Sequence, residues 1–270
     1  MDDDLIRSVL GHLRSQDPGG VVGVYLCGSG ATTGLYPDSD VDLLVLTRRS
    51  LTTAERAPLV SLLLDVSGWS GHEGEFPAVV DRRPLEVTSV VVDDVVPLTE
   101  QPRRDFQFGE WMRSELVDGV VPVPERDPDV VVLLSAALGA HRVLQGASLR
   151  DVVPRVPPAL LRQAQLDLLP DVLDGLVGDE RNVLLTLARM AVTAESGQLL
   201  PKRDAAERIR HRLDEAGAGL LALAREEYLG RVRVDWSRER HRTLGVVQTL
   251  RRLVHDAADD PVPGSASGST

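Results

Sequence analysis

A Gly-Ser turn followed by an offset pair of acids, with apolar runs on both sides, constrains this chain more than any other feature. Gly28-Ser29 is separated by ten residues from Asp40-Val41-Asp42. Residues 21–27 read as a strand entering the turn and residues 41–46 as a strand leaving it. A third acid, Glu86, lies within the apolar run 85–92. Side chains alternate along a strand, so Asp40 and Asp42 project from one side. Two carboxylates held that close repel unless a cation offsets them, and hard oxygen donors suit Mg²⁺. A loop of small residues beside them can turn backbone N–H groups toward phosphates. These are the parts of a metal-dependent nucleotidyl-transfer site.

With 270 residues, 43% of them hydrophobic, the chain can bury a real core and is long enough for two domains. Its formal net charge of −11 argues against a nucleic-acid partner, whose affinity rests on Lys and Arg neutralising phosphates. An acidic cleft instead draws in a cationic small molecule. Cys27, the one cysteine, excludes an internal disulfide and fits a reducing cytoplasm; its strand setting reads as a small buried hydrophobe. The acidic N-terminus is no secretory signal, and no apolar run approaches the roughly 20 residues that span a bilayer. A cytoplasmic protein without membrane contact, acting as a monomer, is expected.

Leu5, Ile6, Val9, Leu10 and Leu13 recur at helical spacing, giving an N-terminal helix that ends before Pro18-Gly19-Gly20. Thr52-Thr53-Ala54-Glu55 matches a capping box and starts a helix that buries Leu59, Leu62, Leu63 and Val66. Residues 67–83 carry no clear period. The Pro-rich stretch from Pro122 to Pro128 reads as a boundary, which predicts an α/β domain over 1–125 and a helical domain over 126–258. Helices are predicted over 129–145, 158–174, 179–196, 202–216, 219–229 and 237–258, and a disordered tail over 259–270.

Each candidate site residue has a plainer reading. A lone Gly-Ser or D-x-D is common in turns, but strand, loop, offset acids and strand together are rare. Ser29 lacks the G-x-S-x-G setting of a hydrolase nucleophile. Glu86 is either an exposed strand carboxylate or the base that takes a proton from an attacking hydroxyl. Lys202 is the single lysine among 30 Lys and Arg residues, a compact charge suited to a polyphosphate; its alternative is chance retention at a helix start. Trp111, in the cluster from Phe106 to Trp111, fits core packing and a flat ligand-facing ring equally well. The six histidines show no zinc-ligand spacing.

At these residues the chain resembles the aminoglycoside nucleotidyltransferases, specifically the streptomycin 3''- and spectinomycin 9-adenylyltransferase family. The matching stretches are YLCGSGATTGLYPDSDVDLLV, RPLEVT, FQFGEW, GDERNVLLTLAR, and the PK and EEYLG segments, covering nearly everything except the tail. The resemblance implies an α/β nucleotidyltransferase domain, a mixed sheet with flanking helices, followed by an all-α helical bundle, with ATP and Mg²⁺ in a cleft between them. It makes Asp40, Asp42 and Glu86 metal ligands, and Glu86 the catalytic base as well. Ser29 and Ser39 fall on loop positions that contact phosphate or metal. Asp129, Lys202 and Tyr228 fall on nucleotide contacts, Trp111 on an aromatic that meets the drug, and Asp179 on an acidic drug-site position.

One stretch departs from the pattern. Family members active on streptomycin carry an Asp-Trp pair just before the GDER segment, where this chain reads Asp174-Gly175-Leu176-Val177. Either Asp174 substitutes with a one-residue shift or the streptomycin contact is lost. The expected reaction is AMP transfer from MgATP to a hydroxyl of spectinomycin, streptomycin or both. Another acceptor (a different aminoglycoside, a lincosamide or a protein side chain) is the alternative enzyme reading, and a nucleotide-binding or drug-binding sensor is the non-enzymatic one.

Overall fold

A computed structural model describes residues 2–31 and 39–259. The chain divides into two compact units, one reaching Arg155 and one starting at Val156. In order, the first unit contains α1 (Asp2–Gln16), β1 (Val21–Leu26), β2 (Val41–Thr47), α2 (Thr53–Val66) and β3 (Leu85–Val91). It continues with α3 (Val92–Val95), β4 (Arg103–Arg104), β5 (Phe106–Phe108), α4 (Arg113–Val117), β6 (Glu125–Arg126), α5 (Asp129–Gly139), β7 (Arg142–Gly146) and α6 (Leu149–Val152). The second contains α7 (Pro158–Asp174), α8 (Glu180–Ser196), α9 (Lys202–Ile209), α10 (Glu215–Tyr228) and α11 (Trp236–Asp259).

Five strands form a mixed sheet in the order β5-β3-β2-β1-β7, with β4 and β6 pairing separately. Only β2 and β3 run parallel; β1–β2, β1–β7 and β3–β5 are antiparallel. Alternation assigns the two faces. Val24 and Leu26, Val41, Leu43 and Val45, and Leu85 and Val87 join one core with Leu5, Val9 and Leu13 of α1 and Leu59 and Leu63 of α2. The intervening positions, Tyr25, Cys27, Asp42, Leu44, Glu86 and Thr88, therefore take the opposite face. Most of these are buried too, which is why the strands read as near-continuous apolar runs. Tyr25 meets His141 edge-on, with centroids 5.6 Å apart, and donates to the Ala147 carbonyl at 3.1 Å.

The capping box forms as expected, with Thr52 N–H donating to Glu55 Oε2 at 2.8 Å. Residues 67–83 contain two short 3₁₀ turns, Ser70–His72 and Pro77–Val79. Arg56 and Asp105, both buried, pair at 2.8 Å and tie α2 to the start of β5.

The second unit is built around α8, which buries Val183, Leu184, Leu185, Leu187, Ala188 and Met190. Val246, Val247, Leu250, Leu253 and Val254 of α11 form a one-sided stripe in the same core. Gly197, at φ 67°, ends α8, the left-handed C-cap that glycine adopts without Cβ strain.

Three expectations change. The helix predicted over 129–145 stops at Gly139, and Arg142–Gly146 instead becomes β7, an edge strand paired with β1. That pairing carries the first unit to Arg155 rather than 125, because β7 completes the sheet that the Pro-rich stretch had seemed to close. The helix predicted over 202–216 ends at Ile209, and α10 begins at Glu215, capped by Asp214, whose side chain accepts from Gly217 N–H at 2.7 Å. The tail beyond Asp259 and the 32–38 portion of the Gly-Ser loop lie outside the described residues.

Candidate active site

The acids stand at the edge where β2 begins. Val41 is fully buried toward α1 and α2, whereas Asp40 and Asp42 on either side of it are half-buried on the opposite face. In the parallel β2–β3 ladder Asp42 is directly opposite Glu86, and Val41 opposite Leu85. Register partners on one face sit side by side, so Asp42 and Glu86 are neighbours and Asp40 lies one pleat further on. Two hydrogen bonds lock this corner: Val41 N–H donates to Pro84 O at 2.9 Å and Cys27 N–H to Asp42 O at 2.9 Å.

The Gly-Ser turn closes over the same carboxylate. Gly28 has φ +61°, and a Cβ placed on it would lie 1.9 Å from Asp42 Oδ2. Backbone thus approaches the acid as closely as only a residue without a side chain allows. Ser39 is buried, and among the described residues its hydroxyl has no hydrogen-bond partner. Its carbonyl accepts from Arg83 Nη1 at 2.7 Å. Arg83 was not singled out from the sequence; its position three residues before Glu86, in Arg-Pro-Leu-Glu, was the available signal.

Cys27 shares the acid face. Burial pushes its thiol up to about 12, with the Asp42 charge next in size, Glu86 adding to it and a backbone hydrogen bond at Leu44 opposing. The thiol is 2% exposed, and thiolate is the reactive form. Native protein at about pH 8 is therefore expected to resist Ellman's reagent for hours and to react at once in guanidinium. Rapid native labelling would contradict the buried placement.

Among the described residues, no three His, Cys, Asp or Glu side chains form a ready-made metal-holding group. Asp40, Asp42 and Glu86 thus share a face and a corner without closing into a cage. The donor chemistry still fits Mg²⁺, which is held by one or two carboxylates together with substrate phosphates and water rather than by an all-protein shell. The unpartnered Ser39 hydroxyl beside Asp40 is a further oxygen suited to such a ligand.

The other candidates are placed as follows. Trp111 is 62% exposed, its ring lying against Gly109, where a Cβ would fall 2.2 Å from the indole. Core packing is excluded for it, and a flat surface for a ligand remains. Asp129 is exposed at the first turn of α5. In the second unit Asp179 occupies the N-cap position of α8; desolvation raises its carboxyl above the usual range, opposed by the hydrogen bond from Asn182 Nδ2 at 2.8 Å and by the Lys202 and Arg181 charges. Lys202 opens α9 after Pro201, and Tyr228 packs against the helical core at the end of α10. Asp174, the last residue of α7, is exposed.

Comparison with known proteins follows this geometry. Over 238 residues the chain is 35% identical to the spectinomycin 9-adenylyltransferase of Campylobacter jejuni, covering 88% of this chain and 90% of that protein. The chain belongs to the aminoglycoside adenylyltransferase family. An Escherichia coli aminoglycoside (3'') (9) adenylyltransferase is 32% identical over 256 residues, covering 93% of this chain and 91% of the relative. A family model for the aminoglycoside adenylyltransferase C-terminal domain matches residues 151–252. The crystal structure of spectinomycin adenyltransferase AAD(9) from Enterococcus faecalis, with ATP and spectinomycin, superposes with a TM-score of 0.83 at 27% identity. That match covers 94% of this chain and 98% of the other. The adenylyltransferase fold that the family resemblance implied is thereby established.

Proposed function

We propose that this adenylyltransferase transfers AMP from ATP to a hydroxyl of spectinomycin, streptomycin or both, releasing pyrophosphate and conferring resistance. The observation that carries the reading is the pairing of Asp42 with Glu86 across two parallel strands, under a glycine turn, in a chain of this family. Asp40, Asp42 and Glu86 would hold Mg²⁺, which would offset polyphosphate charge when bound. Ser29 and Ser39 supply hydroxyls to phosphate or metal. Asp129, Lys202 and Tyr228 contact the nucleotide, with the Lys202 ammonium answering phosphate charge.

Glu86 accepts the proton of the drug hydroxyl as that oxygen attacks the α-phosphorus. The new oxygen–phosphorus bond forms as the bond to the bridging oxygen breaks, and the electron pair leaves with pyrophosphate. Trp111 offers its exposed ring to the drug, and Asp179, with Asp174, offers carboxylates to its cationic groups. An acidic chain of net charge −11 favours such a substrate over nucleic acid. Among the described residues no helix is long and apolar enough to cross a membrane.

The Asp174-Gly175-Leu176-Val177 departure favours spectinomycin over streptomycin, because no aromatic follows the acid there. Mass spectrometry of both drugs after incubation with protein, ATP and Mg²⁺ decides the matter. An added adenylate on spectinomycin is expected, with less or none on streptomycin. Absence of adenylate on both, while another acceptor is modified, would move the protein to a different substrate.

A further inference from the structure

Glu86 is placed by backbone that β2 supports from one side only. On the other side β5 pairs with Val87, Thr88 and Ser89 and reaches no further, so among the described residues no strand flanks the first residues of β3 there. Leu85 N–H instead donates to the hydroxyl of Ser67 at 3.0 Å. Ser67 is fully buried, just past the end of α2, and its hydroxyl donates in turn to Glu110 Oε1 at 2.5 Å. Glu110 is itself buried and fixed by a fork: Arg113 Nε donates to Oε2 at 2.7 Å and Arg113 Nη2 to Oε1 at 3.0 Å. Arg113 Nη2 also reaches the Ser67 carbonyl at 2.9 Å, and His72 Nε2 lies 2.9 Å from Glu110 Oε2.

A buried carboxylate and guanidinium are costly to desolvate, and a hydrophobic pair of the same volume would often stabilise the fold as well or better. What the polar set supplies is direction. The Glu110 oxygen orients the Ser67 hydroxyl so that its lone pair faces Leu85, one residue before the proposed base. We propose that Ser67, oriented by Glu110 and Arg113, is a positioning residue for Glu86. It holds the start of β3 where the base meets the acceptor hydroxyl, in the place of a missing strand. The inference rests on the assignment of Glu86 as base.

A double-mutant cycle tests it. Ser67→Ala removes the acceptor for Leu85 N–H while leaving Arg113 on Glu110, and is expected to lower kcat for spectinomycin adenylation about tenfold, as small misplacements of reacting groups do. KM for ATP should stay within about twofold. In a Glu86→Gln background the same change should alter kcat by less than about twofold, because residues acting through one group are not additive. A merely structural role predicts that the two effects multiply. Circular dichroism and thermal melting set an assay temperature at which every variant is folded. If Ser67→Ala fails to fold, Ser67→Cys, similar in size but a much weaker hydrogen-bonding group, carries the same cycle. Multiplying effects, or wild-type kcat in the Ser67 variant, overturn the positioning role while the base stands. Full turnover in Glu86→Gln alone removes the base assignment first and the inference with it.

Discussion

Replacing Glu86 with Gln should leave ATP affinity within about twofold and lower turnover by roughly 10²-fold or more, the range for loss of a general base. The substitution keeps size and hydrogen bonding but removes the site that takes the hydroxyl proton. Glu86 lies opposite Asp42 in the β2–β3 register, so loss of its charge also relieves repulsion between these two acids. Nucleotide binding has therefore no electrostatic reason to weaken. Single-turnover mass spectrometry gives the chemical step and calorimetry with ATP and Mg²⁺ gives the affinity. Turnover unchanged from wild type would show that another group accepts the proton. A parallel collapse of ATP binding would make Glu86 a metal ligand first.

Gly28→Ala is the second large effect. The new methyl would fall 1.9 Å from Asp42 Oδ2, on a residue with φ +61°. Left-handed backbone costs an L-residue about 1–2 kcal/mol, and the overlap must be relieved by moving either the turn or the carboxylate. Both belong to the site. A displacement of about 1 Å can cost on the order of 10²-fold in rate, so kcat/KM is expected to fall at least that far. Melting should drop by only a few degrees. Gly11→Ala is the control: it is exposed in α1 with nothing within 4 Å of the added carbon, and should leave activity intact and stability equal or slightly higher. Wild-type kcat/KM in Gly28→Ala would mean that the turn yields freely and does not shape the acid corner.

The sequence made several parts of this site legible because they depend on local rules. Alternation along 40–42 put both aspartates on one side, and the same rule placed Glu86 and Cys27 on that face once strands were assigned. Thr52 and Glu55 announced the start of α2, since a capping box is complete within four residues. The helix over Pro158–Asp174 followed from period and flanking residues alone. Motifs strung along most of the chain also marked the family, which the relatives then established.

Other features were decided only when distant segments met. Residues 142–146 carry no strong strand signal; they become β7 because β1 presents a free edge to pair with. Nothing local in Gly28 reveals that Asp42 will lie against it, and nothing in Ser67 that it will stand in for a strand beside Leu85. Periodicity tells which face a side chain takes, because that is set by the residue's own backbone. Register, by contrast, is a contact between segments far apart in the chain, here 42 with 86, and only tertiary packing selects it.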